Sequence, residues 1–391
     1  MRKALYIDKE AVATLAMVRD GLLKPVVSLM KENEAKEVDK TGIYKGCAFP
    51  FSFLLAPAGV KNQEVLQNTK QGDILDFVCD NKICGDIVVD EIFPIDKDKR
   101  VHKIYGTNNP EHPGVKDTYK RLGDLAICGE YTIQFDSIKT NIDTINQSIE
   151  TLKAKNISAI MLSGKPFHRV HERLIRTALV KCDLLIIFIQ KPYKNDKLSY
   201  NIRYKTIKYF CDNFLPKDRV LLLPLENTYI FGGLNELQLN AIVSKNYGAT
   251  KLIIGQNHAG LGAYWENQKL LSIVNSMEKV NLEIDIMSEF VYCDKCTTLV
   301  STNTCPHGRH HHVKYHNDSI MSLFELGIIP PAILMRKEVS SIILSALYPQ
   351  RKQTLKKIHQ NLSTSSGVID EFKSEDFYDG LMNLYQTSSL T

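Results

Sequence analysis

The sequence predicts an α/β protein, with a β-rich N-terminal domain over 1–150 and a Rossmann-like parallel-sheet domain over 151–287. Three observations carry this expectation. Four continuously apolar runs between 157 and 255 alternate with helical patterns. Before 150 the apolar runs are short and separated by Gly, Pro, Asn and Asp. After 288 a Cys/His-rich insert breaks the rhythm. A helical segment to about 350 and a polar tail over 351–391 complete the division.

Bulk composition sets the limits. A chain of 391 residues is too long for one ordinary core, so two or three domains are expected. Apolar content of 44% and charged content of 24% are those of a folded globular protein. The net charge of +5 is spread along the chain. A local anion site accounts for it, and no nucleic-acid partner is expected. The start, Met1 to Leu5, soon meets Asp8, Lys9 and Glu10, so no signal peptide is read there. The most apolar run, Leu184 to Ile189, is far too short to span a bilayer. A cytoplasmic protein without a membrane partner is expected. Nine cysteines, an odd number with three clustered at 293–305, argue against a disulfide framework.

In the first domain, Phe51 to Ala56, Ile74 to Val78 and Ile87 to Val89 read as strands. Gly106 to Gly114 is too rich in helix and strand breakers for a regular element and reads as an ordered loop. In the second, strands are expected at 157–162, 184–189, 220–225 and 251–255, with helices at 142–154, 168–180, 201–213 and 234–246. Continuously apolar strands between helices imply a parallel sheet covered on both faces. Ligands of such sheets sit beyond the C-terminal strand ends, which points to the loops after 162, 189, 225 and 254.

The first of these loops is Ser163-Gly164-Lys165-Pro166. Gly164 permits close backbone approach, and Pro166 suits the first helical position. A helix N-terminus there is a phosphate site, with His168 and His171 on one face of its first turn. As cations they would stabilise charge on phosphorus, and Lys165 adds a fixed positive charge. The loop after 254 reads Gly255-Gln256-Asn257-His258-Ala259-Gly260-Leu261-Gly262, whose backbone N–H groups suit an anionic ligand.

Cys293-x-x-Cys296, followed by Cys305 and His307, His310, His311 and His312, is a metal-site pattern. Three thiolates and one imidazole close a tetrahedron, which suits structural zinc. His310 is the expected fourth ligand, with the other three histidines as alternatives. The remaining cysteines lie mostly in apolar runs and read as core.

Several stretches, in order over about 15–350, resemble the ATP sulfurylase family. Tyr105 to Val115 is similar to its interdomain loop, and Pro166 to Glu172 to its P-x-H-x-x-H-E motif. Lys245 to Thr250 leading into Gly255 to Gly260 is similar to its K-N-Y-G-A-T and G-R-D-H-A-G stretches. The resemblance implies a PUA-like N-terminal domain and a nucleotidyltransferase domain. It implies that a sulfate oxygen attacks the α-phosphorus of ATP, with Mg2+ accompanying the nucleotide, to give adenylyl sulfate and pyrophosphate. The resemblance puts His168 and His171 on the nucleotide phosphates and His258, Ala259 and Gly260 against nucleotide and sulfate. The residues themselves add Gly164 and Gly255 to the nucleotide site, Lys165 to His168 and His171 for catalysis, and Lys165, Gln256, Asn257 and Ala259 as the side facing the oxyanion. A zinc knot and a homo-oligomer also follow from the resemblance.

The chain departs from the pattern where sulfate should bind. The family's Q-x-R-N-P is replaced by Leu162 to Pro166, its G-R-D by Gly255-Gln256-Asn257, and the arginines of its mobile loop by Tyr229 to Glu236. Arginine forks bind oxyanions bidentately, and lysine does not. Lys191 and Arg203 are the nearest candidate replacements. Three outcomes stay open: a rebuilt sulfate pocket, a different acceptor, or a nucleotide-binding homologue without catalysis.

Overall fold

A computed structural model describes residues 2–193, 196–232, 235–255 and 280–351, with isolated positions further on. The first unit holds β1 (Lys3–Tyr6), β2 (Ile43–Tyr44), β3 (Cys47–Ala48), β4 (Leu55–Pro57), β5 (Ile74–Cys79), β6 (Lys82–Pro94) and β7 (Leu122–Ile133). Five of these form one sheet in the order β1-β5-β6-β7-β4, and β2 with β3 forms a separate hairpin. β1 runs parallel to β5, and the other neighbours in the large sheet run antiparallel. Asp80 and Asn81, both at positive φ, make the tight two-residue turn between β5 and β6.

This unit is more helical than its sequence suggests. Five helices, Lys9–Arg19, Glu32–Thr41, Val60–Gln67, Lys97–Tyr105 and Pro113–Arg121, surround the sheet. Lys9–Arg19 is almost wholly buried from Ala11 to Val18, so no polar stripe marks it as helical. Asp8 caps it, its Oδ1 accepting from Ala11 N at 2.8 Å. The expected strand 51–56 shrinks to Leu55–Pro57, because Phe51 and Phe53 are core side chains of an irregular segment. The expected loop 106–114 ends at His112, where Pro113 starts a helix.

The second unit begins at helix Ser137–Leu152 rather than at 151. That helix lies against the second sheet, its Asn141 Nδ2 donating to Pro224 O at 3.2 Å. The sheet comprises β8 (Ile157–Leu162), β9 (Leu184–Pro192), β10 (Val220–Asn227), β11 (Lys251–Gly255) and β12 (Glu283–Met287). Its order is β10-β9-β8-β11-β12, and every neighbouring pair is parallel. The four expected strands are all present; β12 is an edge strand that the sequence reading left unassigned. Along β8 and β9 alternate residues face two different cores. Ala159, Met161, Ile186 and Phe188 join the core shared with the first unit. Ile160, Leu162, Leu185, Ile187 and Ile189 face helices Arg169–Val180 and Tyr200–Phe214. Burial on both faces is why these strands read as unbroken apolar runs.

The chain moves outward from β8 to β9 and β10, then returns to β11 and β12 on the other side. Connections therefore diverge between β8 and β11, opening a crevice at their C-terminal ends. Three short strands follow: β13 (Phe290–Cys293), β14 (Thr298–Ser301) and β15 (His312–Val313), in the order β14-β13-β15. Helices Asn317–Glu325 and Lys337–Leu347 close the described chain. Among the described residues no helix is long and apolar enough to cross a membrane.

Phe188 is fully buried on β9, its ring 4.9 Å from that of Tyr247. Phe188→Ala is expected to lower unfolding free energy by about 3–5 kcal/mol. Denaturant titration measures this, and a loss below about 1 kcal/mol would contradict the packing described.

Candidate active site at the sheet switch point

A cavity of about 440 Å³ opens where β8 and β11 diverge. Ser163 at the end of β8, Gly255 at the end of β11 and Gln190 near the end of β9 contribute strand ends. His168 and His171 enter from the N-terminus of helix Arg169–Val180, and Glu236 from that of helix Glu236–Asn246. The far wall is Ser288, Glu289, Phe290, Tyr315 and Asn317. None of these five stood out in the sequence. They come from segments on either side of the Cys/His-rich stretch 293–307, brought to the crevice only by folding.

The turn between β8 and the helix is built from three anchors. Gly164 sits at φ +60°, and a Cβ there would lie 3.1 Å from Ile207 Cδ1. Phe167 is fully buried, 5.4 Å from the Phe210 ring. Arg203, also fully buried, donates through Nη1 to Ser163 O at 2.5 Å and to Gln190 O at 3.0 Å. Burial of Phe167 moves the helix start beyond the expected Pro166. His168 is the N-cap, and Arg169 is the first helical residue.

His168 N donates to His171 Nδ1 at 3.2 Å, closing the first turn. With Nδ1 accepting, the neutral His171 ring carries its proton on Nε2. His168 Nε2 lies 3.0 Å from Asn317 Oδ1, an oxygen that only accepts, so Nε2 donates. His168 Nδ1 is then a buried acceptor without a partner. The two rings are 3.9 Å apart, and Tyr315 lies 5.3 Å beyond His168. Burial pushes His171 down to about 4. It pushes His168 well below its ordinary value too, helped by His171 and opposed by the Asn317 bond. Burial thus works against the cationic pair expected from sequence. Desolvation outweighs the helix N-terminus geometry that suggested cations. Burial also raises the Glu236 carboxyl, whose Oε1 accepts from Gln190 Nε2 at 3.0 Å.

The expected cations lie elsewhere. Lys165 does not line the cavity; its Nζ pairs with Asp196 at 2.5 Å. Lys191 pairs with Glu226 at 3.2 Å, and Arg203 holds the carbonyls just described. Among the described lining residues there is no lysine or arginine. Gln256, Asn257, His258, Ala259 and Gly260 lie outside the described residues.

Residues 136–346 match the ATP-sulfurylase family model, and residues 2–134 match a PUA-like domain model. The chain belongs to the ATP-sulfurylase family. A sulfate adenylyltransferase of Halothermothrix orenii is 26% identical over 355 residues, 88% of this chain and 91% of that one. One of Staphylothermus marinus is 30% identical over 293 residues, 72% of this chain and 75% of that one. A solved structure described as hexameric APS kinase from Thiobacillus denitrificans aligns at TM-score 0.65 and 15% identity. It covers 90% of this chain and 63% of its own, and supports the fold alone.

Within this ATP-sulfurylase chain, Cys293, Cys296, Cys305 and His307 bring their ligand atoms within 4.8 Å of one another. The imidazole is His307, not the expected His310. Cys305-Pro306-His307 returns the ring to the thiol turn. His310 lies further out, exposed, its ring 4.1 Å from that of His311. His307 Nδ1 is 3.4, 3.3 and 3.6 Å from the three sulfurs, and Cys296 and Cys305 sulfurs are 3.9 Å apart. A tetrahedral zinc with ordinary bond lengths requires edges of about 3.6 and 3.8 Å, so the donor set fits.

The depressed imidazoles carry a pH signature. A folded-state pKa below the unfolded value of about 6.5 leaves stability intact above that pH and removes it as pH falls toward about 4. His171→Asn keeps an acceptor near Nδ1 but does not titrate. Between pH 7 and 4.5 the native protein is expected to lose about 2 kcal/mol more than the variant in urea titrations. Equal losses would mean that His171 is already charged in the fold.

Proposed function

We propose that the chain is a sulfate adenylyltransferase, transferring AMP from ATP to sulfate, or running in reverse. The observation that carries this reading is the pair His168 and His171, held at the sheet switch point within the family motif. ATP would enter as its Mg2+ complex and lay its phosphates against the helix N-terminus. His171 Nε2–H donates to a phosphate oxygen. Negative charge at the site favours protonation of His168 at Nδ1, while Asn317 Oδ1 holds Nε2–H. A sulfate oxygen attacks the α-phosphorus, an S–O–P bond forms, and the Pα–O bond to pyrophosphate breaks. The protein contributes alignment and charge stabilisation, with no covalent intermediate on the chain. Gly164, Gly255, His258, Ala259 and Gly260 belong to the nucleotide site, and Gln256 and Asn257 to the acceptor side, in the same proposal. A cytoplasmic homo-oligomer completes it, resting on family membership alone.

A second reading has its own support. No cationic side chain lines the described part of the cavity, whereas Glu236 and Glu289 do. This favours an acceptor other than sulfate, or nucleotide binding without turnover.

Both readings meet in one experiment on folded, metal-replete protein: pyrophosphate release from ATP with sulfate, and ATP formation from adenylyl sulfate with pyrophosphate. Turnover in either direction is expected. Loss of His168 or His171 to Ala should lower kcat/KM by about 10²–10³-fold. Lys165→Ala, which removes a half-exposed ion pair, should change it by less than about threefold. Nucleotide binding without turnover in both directions overturns the first reading and supports the second.

We also propose that Cys293, Cys296, Cys305 and His307 hold a structural zinc. Metal analysis should find about one zinc per chain. Cys296→Ser should lower both this content and the melting temperature, while His310→Ala changes neither. Retention of zinc without Cys296 would sink the assignment.

A further inference from the structure

A second cavity, of about 360 Å³, lies between the two units, away from the switch point. Its walls are mainly apolar, with Ile7, Leu54, Leu55, Ala56 and Pro57 from the first unit and Tyr229 from the second. Its charged lining residues are Arg100, Lys120, Arg121 and Asp8. Arg100 lines it and is 6% exposed. One nitrogen of the guanidinium, Nη1, donates to Ser52 O at 3.0 Å and to Ser52 Oγ at 2.9 Å. Among the described residues its Nε and Nη2 meet no acceptor, and Lys120, exposed at the rim, meets no carboxylate. Arg121 and Asp8 also line the space, but they neutralise each other. Arg121 Nη2 is 2.6 Å from Asp8, its Nη1 is 2.8 Å from Glu10, and its face lies over the Tyr229 ring.

The two free nitrogens of Arg100 are not sealed in the core: the residue lines the cavity, so they stand open to what enters it. Asp39 attracts the Arg100 charge without a direct ion pair, its oxygens accepting instead from Ser52 N–H at 2.7 Å and the Ser52 hydroxyl at 3.0 Å. An acceptor arriving through the cavity would complete the pairing. The volume and the apolar walls suit a compact organic body rather than a bare inorganic ion.

We propose that this interdomain cavity is a binding site for a small organic anion. The ligand has one carboxylate, phosphate or sulfonate head on an apolar or aromatic body. The head bonds the open edge of Arg100 with Lys120 beside it. The body packs against Leu54 to Pro57 and Tyr229. Nothing in the proposal depends on the reaction assigned to the switch-point cavity.

The test uses 2-naphthalenesulfonate as the anionic probe and 2-naphthol as its neutral counterpart, titrated calorimetrically into the full chain with saturating ATP present. The sulfonate is expected to bind at least about tenfold more tightly than the naphthol. Lys120→Glu, on the surface, should weaken the sulfonate about tenfold and leave the naphthol unchanged. Ala58→Trp should fill the space and abolish binding of both, and Arg100→Met should erase the preference for the anion. Circular dichroism checks that each variant is folded. Equal affinity for the two probes, or sulfonate binding untouched by Lys120→Glu and Ala58→Trp in folded protein, overturns the proposal. Loss of nucleotide turnover with intact sulfonate binding would bear on the other site alone.

Discussion

A buried carboxylate organises the nucleotide end of this molecule. Glu172, 5% exposed, receives Arg336 Nε at 2.9 and 3.0 Å and Arg169 Nη1 at 3.2 Å. Arg169 also fixes the closing segment, its N donating to Leu334 O at 3.0 Å and its Nε to Ala332 O at 3.1 Å. Arg336 is the N-cap of helix Lys337–Leu347 and lies 3.7 Å over the Phe214 ring. One carboxylate thus joins the motif helix, the closing helix and helix Tyr200–Phe214. Breaking a buried pair of this kind typically costs about 3–5 kcal/mol, because the remaining charge is left uncompensated. The last residue of the family motif is therefore a fastening point, while its two histidines face the cavity.

The Cys/His cluster sits between two segments of the cavity wall and does not itself line the cavity. The chain leaves β12, contributes Ser288, Glu289 and Phe290 to the cavity wall, and then enters the cluster at Cys293. It leaves through β15 and delivers Tyr315 and Asn317 to His168. In the zinc proposal the small cluster would pin both ends of a short excursion, and a segment with few core side chains of its own would gain order from four shared donors.

Among the described residues the site's electrostatics rest on partly buried imidazoles more than on fixed positive charge. Burial works against charge on His168 and His171, and the described walls offer carboxyls and hydroxyls but no ammonium or guanidinium group. In the proposed reaction, negative charge entering the cavity would shift protons toward the imidazoles, so that charge stabilisation would arise with the ligand. This differs from an arginine-lined oxyanion site, where positive charge is permanent. The neighbouring cations that looked available, Lys165, Lys191 and Arg203, are already spent on Asp196, Glu226 and the carbonyls of Ser163 and Gln190.

The sequence by itself determined the parallel sheet, its two-sided burial and the place of the ligand loops, because apolar strands alternating with helices leave few other ways to bury both faces. It also singled out Gly164, His168, His171 and the three cysteines, each marked by local spacing. Only the tertiary structure decided the rest. The first N-terminal helix was hidden because a helix buried on all sides has no polar stripe. Asn317, Tyr315, Glu236 and Gln190 were hidden because they approach the histidines from distant parts of the chain. His307 displaced His310 because ring direction, which spacing does not encode, selects the fourth donor. The charge state of the histidine pair was out of reach for the same reason: it is a property of burial, and burial belongs to the assembled fold.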